Sequence, residues 1–449
     1  MTHRILPSML LLACAAEGAE VGVDDLHATF AIDGRDAGYH ARWVGRDGDQ
    51  VVVDALTVMR LGDADLRMAF QIRLDRTAPG GWRSFWYDDG ERMTEAGWSD
   101  DGCVAGVDGD VAPFAAAADS IPTWAYFLPL ARLERRAGAE VAYTRLHESL
   151  DAREPARLVC DRREATGWEV RLLVDGQEAS AFRIDDGGGL LRAHWNGPVS
   201  ERVAGWAELV PRLPEEVRAA EADYDAAVDA LLTGDERDCA RIAADLALMT
   251  PNARVAHRLT AALRLQRLGP RRMAAAAQAL GGWRFLPARA PLAELGAAAA
   301  ARGEPADAML TLGLARLGQP GLDDELLRLA RESDDPFIQG DAIWALSRRG
   351  PTNAAPAIRA VGVDAGVSLI SGEAVAALGR LRDQQAAPPL RAWLHGPEAN
   401  TVAYLWTDGR GTRNGERPLW QVIDQALGRI HAVDGARASL AEARAAWPR

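Results

Sequence analysis

The stretch Asp335-Pro336-Phe337-Ile338-Gln339-Gly340-Asp341-Ala342-Ile343-Trp344-Ala345-Leu346-Ser347-Arg348-Arg349-Gly350 decides how the C-terminal half is read. Moving 32 residues on, from Leu346 to Leu378, also lays Ala342 on Ala374, Ala345 on Ala377 and Arg348 on Arg380. The same step backward reaches Leu314 and Arg316. Irregular copies occur at Leu265-Gln266-Arg267-Leu268-Gly269 and Ala426-Leu427-Gly428-Arg429-Ile430. A period of this size is the mark of stacked supersecondary units.

Each unit reads as a helical hairpin. Asp335 is suited to cap a helix and Pro336 to its first position, where no amide proton is needed. Ile338, Ala342, Ala345 and Leu346 make an apolar stripe at helical spacing, and Gly350-Pro351 is a stop. A second helix is expected over 353–361. Small alanines allow close helix approach. This pattern resembles HEAT repeats, including the HEAT-like form first named for phycobilin lyases, over roughly 253–447. The resemblance implies an α-solenoid that binds a partner, since such arrays are mostly scaffolds.

Working outward, the N-terminal side changes period. Leu66, Met68, Phe70, Ile72 and Leu74 alternate with polar or small residues, as do Trp82, Ser84 and Trp86 in the next run, which predicts half-buried strands. Asp-Gly pairs recur between such runs and favour tight hairpins. The expectation is an antiparallel β-meander of roughly eight to eleven strands, forming a curved sheet, half-barrel or sandwich. A loop with a short helix is expected over 119–136. The meander resembles the sheets of periplasmic lipid- and lipoprotein-handling proteins, which implies an apolar ligand on a concave face.

The start, Met1 to Ala13, has a charged residue and a short apolar run. Leu11-Leu12-Ala13-Cys14 resembles the lipobox of bacterial lipoproteins, which implies lipidation of Cys14 and, with Ala15 following, the outer membrane. The domain organisation is therefore a signal peptide over 1–13, a lipidated tether over 14–24, a β domain over 25–210 and a helical domain over 211–449, an α+β chain of two domains. Glu215–Gly234 and Glu236–Met249 read as a helical cap on the second domain.

With a net charge of −13, the chain lacks the basic face that duplex nucleic acid requires. All 51 basic residues are arginine, so Schiff-base and phosphate-loop lysine chemistry is excluded. No nucleophile elbow, phosphate loop or zinc-binding helix motif occurs, and neither a cofactor nor a metal is expected. His27 and His40 are placed to face each other across the first hairpin but lack a third ligand. Cys103 and Cys160 lie on strands of one domain and could pair in an oxidising compartment, which spacing alone does not decide. In the segment inserted over 400–417, Arg410, Arg413, Asn414 and Arg417 lie among glycines and form a candidate binding loop for an anion. The expected function is a membrane-anchored, non-catalytic lipoprotein that binds a protein or envelope partner. The alternatives are a periplasmic carrier holding an apolar ligand in the β domain and, last, a lyase-type enzyme.

Overall fold

The structure, a computed structural model, describes residues 24–431 apart from 63, 91, 100–101, 108–109, 148–149, 151, 196, 266–267, 304–306 and 408–411. The chain divides into two compact units, one of residues 1–229 with 249–258, the other of 230–248 with 259–449. The join expected at Pro211 lies inside the first unit, because residues 215–229 and 249–258 belong with the strands.

The first unit is a single large sheet. One meander comprises β1 (Leu26–Ile32), β2 (Arg35–Asp47), β3 (Gln50–Leu61), β4 (Ala64–Leu74), β5 (Trp82–Asp88), β6 (Met93–Ser99), β7 (Gly102–Val107) and β8 (Asp110–Pro113). After β9 (Ser120–Pro122) and the short helix α1 (Phe127–Arg132), a second comprises β10 (Glu140–Leu146), β11 (Arg153–Glu164), β12 (Gly167–Val174), β13 (Gln177–Ile184), β14 (Leu190–Trp195) and β15 (Val199–Val203). β1 pairs antiparallel with β15, which joins the two into fifteen strands. β9 is the exception to antiparallel pairing, lying parallel to β10. The strand count exceeds the sequence expectation because short strands such as β8, β9 and β15 give little periodic signal. Both strands at the ends of the hydrogen-bonded order, β8 and β9, are four residues or shorter, which limits the template they offer to another chain.

Two Asp-Gly turns behave as their chemistry demands. Asp33 (φ 51°) with Gly34 (φ 75°), and Asp175 (φ 49°) with Gly176 (φ 80°), occupy the left-handed region that a two-residue hairpin of matching twist requires.

The inner face buries Leu26, Val53, Phe70, Ile72, Phe85, Leu158, Val170 and Phe182 around Phe127, Leu128 and Leu130, carried by α1. The expected short helix therefore exists, and it fills this core. Trp82 and Phe85, three residues apart, are both in this core because the ladder shifts register between Arg73 and Leu74. Such a bulge re-aims the strand after it and breaks simple alternation. β4 was expected to be half-buried, yet Ala69 and Gln71 on its other face are also enclosed. A second apolar cluster explains this: Tyr39, Leu56, Val58 and Trp86 pack with Leu209 of α2 (Trp206–Leu209), Leu213 and Val217.

That second face is tied down by one carboxylate. Glu221, 3% exposed on α3 (Glu215–Thr233), accepts from the Tyr39 hydroxyl at 2.9 Å and from Arg67 at 2.8 Å. Its other oxygen accepts from Asn252 at 3.0 Å and Arg254 at 3.1 Å. A buried charge is tolerated where hydrogen bonds and counter-ions surround it in this way. Inside the sheet, His40 lies 2.8 Å from the Thr57 hydroxyl and 3.3 Å from that of Tyr126. Burial, aided by Arg42, pushes its pKa down to about 3. His27 pairs with Ala41 and His40 with Ala28, so the two histidines occupy opposite faces and do not meet.

The second unit is helical: α4 (Cys239–Leu248), α5 (Ala253–Arg264, whose first residues belong to the sheet unit), α6 (Pro270–Gly282), α7 (Arg289–Ala301), α8 (Ala308–Arg316), α9 (Asp323–Glu332), α10 (Pro336–Arg349), α11 (Ala354–Arg359), α12 (Ser371–Arg380), α13 (Ala387–His395) and α14 (Leu419–His431). Alternate helices pack side by side in the row α4, α6, α8, α10, α12, α14. The sequence signals at α10 act as read. Asp335 accepts from the Phe337 amide at 2.8 Å, Pro336 opens the helix, and Gly350 (φ 64°) ends it in the left-handed region. Leu346 and Leu378 are fully buried, as are Ala342 and Ala374. The helix expected over 353–361 instead ends at Arg359 and runs into a π-helical turn, Ala360–Asp364.

Candidate interaction surface of the helical unit

Neighbouring helices of the row touch through small residues. Gly281, at the end of α6, leaves no room for a Cβ because Gly313 Cα would lie 2.6 Å from it. Gly379, at the end of α12, is held as closely by Ala426 of α14. Small side chains at these positions let backbones touch. Gly281, Gly313, Ala345 and Ala377 are each 32 residues apart, so the spacing continues back into α6.

The arginines two residues after the buried leucines have a fourth member by the same spacing, Arg284. Three of them surround one indole. The guanidinium carbons of Arg316, Arg348 and Arg284 lie 4.6, 5.6 and 5.7 Å from the Trp344 ring centroid, within cation–π range. Arg316 also pairs with Asp341 at 2.8 Å, and its side chain is only 4% exposed. Arg380 donates to the Ser347 hydroxyl at 2.8 Å and forms an ion pair with fully buried Glu373. Arg380 therefore does not point away from the core. Its long stem packs between helices while the head satisfies a buried carboxylate.

The opposite ends of these helices carry exposed apolar side chains. Phe337 opens α10, Val367 and Leu369 precede α12, and Trp420 opens α14; all are 38–52% exposed. Phe337 and Leu369 are again 32 residues apart. Beside them lies the inserted segment, which is a hairpin of β16 (Val402–Thr407) and β17 (Thr412–Pro418). β16 packs on α10 and α12, and Gly372 admits Ala403 where a Cβ would clash. Ala403 and Leu405 enter the helical core.

Of the candidate binding-loop residues, Arg410 lies outside the described residues. Arg413 and Asn414 are on β17, opposite Trp406 and Leu405, and the structure describes their backbone alone. Arg417 is exposed opposite Ala403. The hairpin supplies backbone pairing that a purely irregular loop would lack. Cys14 lies outside the described residues. Cys103 on β7 and Cys160 on β11 are both buried free thiols, so the possible disulfide is absent from this structure. Burial pushes the Cys103 thiol up to about 11 and raises that of Cys160, which suits inert core sulfurs rather than reactive ones. Among the described residues no group of three or more His, Cys, Asp or Glu could hold a metal ion. No described helix is long and apolar enough to cross a membrane. Compared with known proteins, the chain matches no protein-family model and no curated protein.

Proposed function

We propose that the chain is a membrane-anchored, non-catalytic lipoprotein whose helical unit is a HEAT-like α-solenoid that binds a protein partner of the cell envelope. The observation that carries this reading is the exposure of Phe337, Val367, Leu369 and Trp420 at or just before the starts of α10, α12 and α14. Large apolar side chains grouped on a surface mark sites of association, whereas scattered ones need no explanation. The buried arginine contacts at the other helix ends hold that row in a fixed spacing. Anchorage is assigned to Cys14 and the outer membrane on the lipobox resemblance. The carrier reading stands second, because the inner face of the sheet is occupied by Phe127, Leu128 and Leu130 of the chain itself.

The test uses the full chain with its own leader, expressed in a bacterium with a photo-crosslinking residue in place of Phe337 or Leu369. A discrete protein adduct is expected there and not from the exposed Arg237. Leu369→Glu should abolish it while leaving the helical circular dichroism unchanged. The chain should sediment with membranes, and Cys14→Ser should release it. The absence of any adduct along the row overturns the binding surface, and wild-type chain found soluble with Met1 retained overturns the anchor.

A further inference from the structure

We propose that a groove at the end of β13, β14 and β15 binds an organic oxyanion, a phosphate or carboxylate group on a short apolar substituent. This site lies in the sheet unit and does not depend on the partner-binding role given to the helices. The groove encloses about 500 Å³, and its lining includes Thr166, Arg183, Arg192, Arg202, Leu191 and Val203.

Charge placement is the first argument. Arg183 and Arg192 are directly opposite each other on adjacent antiparallel strands. Like charges in such a pair repel at a side-chain separation of about 5 Å, which destabilises the sheet unless an anion lies between them. Three of the neighbouring carboxylates are engaged elsewhere, and the fourth, Glu201, itself lines the groove. Glu169, opposite Arg183 on the other side, pairs with Arg162 at 2.8 Å. Asp24 pairs with Arg202 at 2.8 Å, and Asp185 lies 3.9 Å from the same guanidinium. Glu201 is opposite Arg192 in the ladder, yet no ion pair joins them.

Donor geometry is the second argument. One terminal nitrogen of Arg183 donates to the Thr166 hydroxyl, which steadies the side chain. Its Nε is enclosed and has no hydrogen-bond partner. Arg192 is exposed and makes no hydrogen bond or ion pair among the described residues. Guanidinium groups borne on two directly opposed residues offer forked N–H donors that match the paired oxygens of a carboxylate or phosphate. An oxyanion there would remove the repulsion. Leu191 and Val203 supply apolar surface next to the cationic pair, which sets the preference for a substituent that is itself apolar.

Calorimetric titration of the full chain with inorganic phosphate and, separately, with octanoate, at one ionic strength, tests this. Saturable binding of one molecule per chain is expected for at least one of them. Arg183→Gln and Arg192→Gln should each weaken it about tenfold, the loss of one charge-assisted hydrogen-bonding group. Glu201→Gln should tighten it by removing a competing carboxylate, and Arg237→Gln should change nothing. Binding of phosphate alone identifies a phosphate site, and binding of octanoate alone a carboxylate site with an apolar pocket. No saturable binding of either overturns the proposal. So does undiminished binding by a double Arg183→Gln, Arg192→Gln variant whose circular dichroism matches wild type.

Discussion

Glu221 concentrates more of the sheet unit's order than any other side chain described here, because Tyr39, Arg67, Asn252 and Arg254 all converge on it. Glu221→Gln would leave mostly buried Arg67 without its counter-charge, while Arg254 keeps Asp225, and a loss of about 3 kcal/mol is expected in denaturant unfolding. Nothing in the sequence flagged this residue: a lone glutamate in a helical pattern reads as solvated, and its partners come from three separate segments. His40 was visible as a residue but not as a buried one. With its pKa near 3 in the folded state and about 6.5 unfolded, the unfolded chain binds the extra proton first. Stability is therefore unaffected above about pH 6.5 and falls by about 1.4 kcal/mol per pH unit below it, down towards pH 3. His40→Gln should flatten that slope in chemical denaturation between pH 4 and pH 6, in the range set by these two values; an unchanged slope would show that another group controls it. The arginines after the buried leucines separate in the same manner. Arg380→Ala removes a counter-charge from the fully buried Glu373 and should cost about 3 kcal/mol, whereas Arg348, which is only half-buried, should cost less when cut back to Ala.

Individual elements were legible wherever their periodicity was local. The cap, first-turn proline and terminal glycine of α10 and the stripe through Leu346 needed nothing beyond neighbouring residues, and all occur as expected. Elements whose form depends on distant chain were not legible. The bulge that turns Trp82 inward arises from pairing with β4, and the enclosure of the outer face of β4 arises from the cluster around Leu209 and Val217. The hairpin β16–β17 was read as a loop because its glycines outweigh its short alternation, while its packing on α10 and α12 favours strand pairing. Leu346→Ala should cost roughly 2–5 kcal/mol through lost burial and a cavity. Gly379→Ala should cost about 1–3 kcal/mol by the opposite route, since its Cβ would lie 2.7 Å from the Ala426 backbone. Thermal unfolding of both variants checks the pair, and a silent Gly379→Ala would mean that α12 and α14 separate easily.

For the molecule as a whole, a sheet-bearing part followed by a helical part was foreseen, and the division of the chain into two units is more interleaved than a single cut. A period of two and a period of 3.6 are distinguishable in sequence, but which unit a helix joins is decided by its partners: residues 249–258 go to the sheet because Asn252 and Arg254 reach Glu221. The pairing of β1 with β15 has a consequence for the order of events during synthesis. Val199–Val203 emerges from the ribosome about 170 residues after its partner Leu26–Ile32, so at 5–20 residues per second β1 spends roughly ten to thirty seconds with one edge unclaimed. A contact between such distant residues must also overcome the entropy of closing the intervening loop before it contributes anything. The helices that follow make their row contacts with near neighbours in sequence and face no such delay. The slow step in making this protein is therefore expected to be the meeting of its first strand with its fifteenth, and whatever binds exposed strand edges in the cell has that interval in which to act.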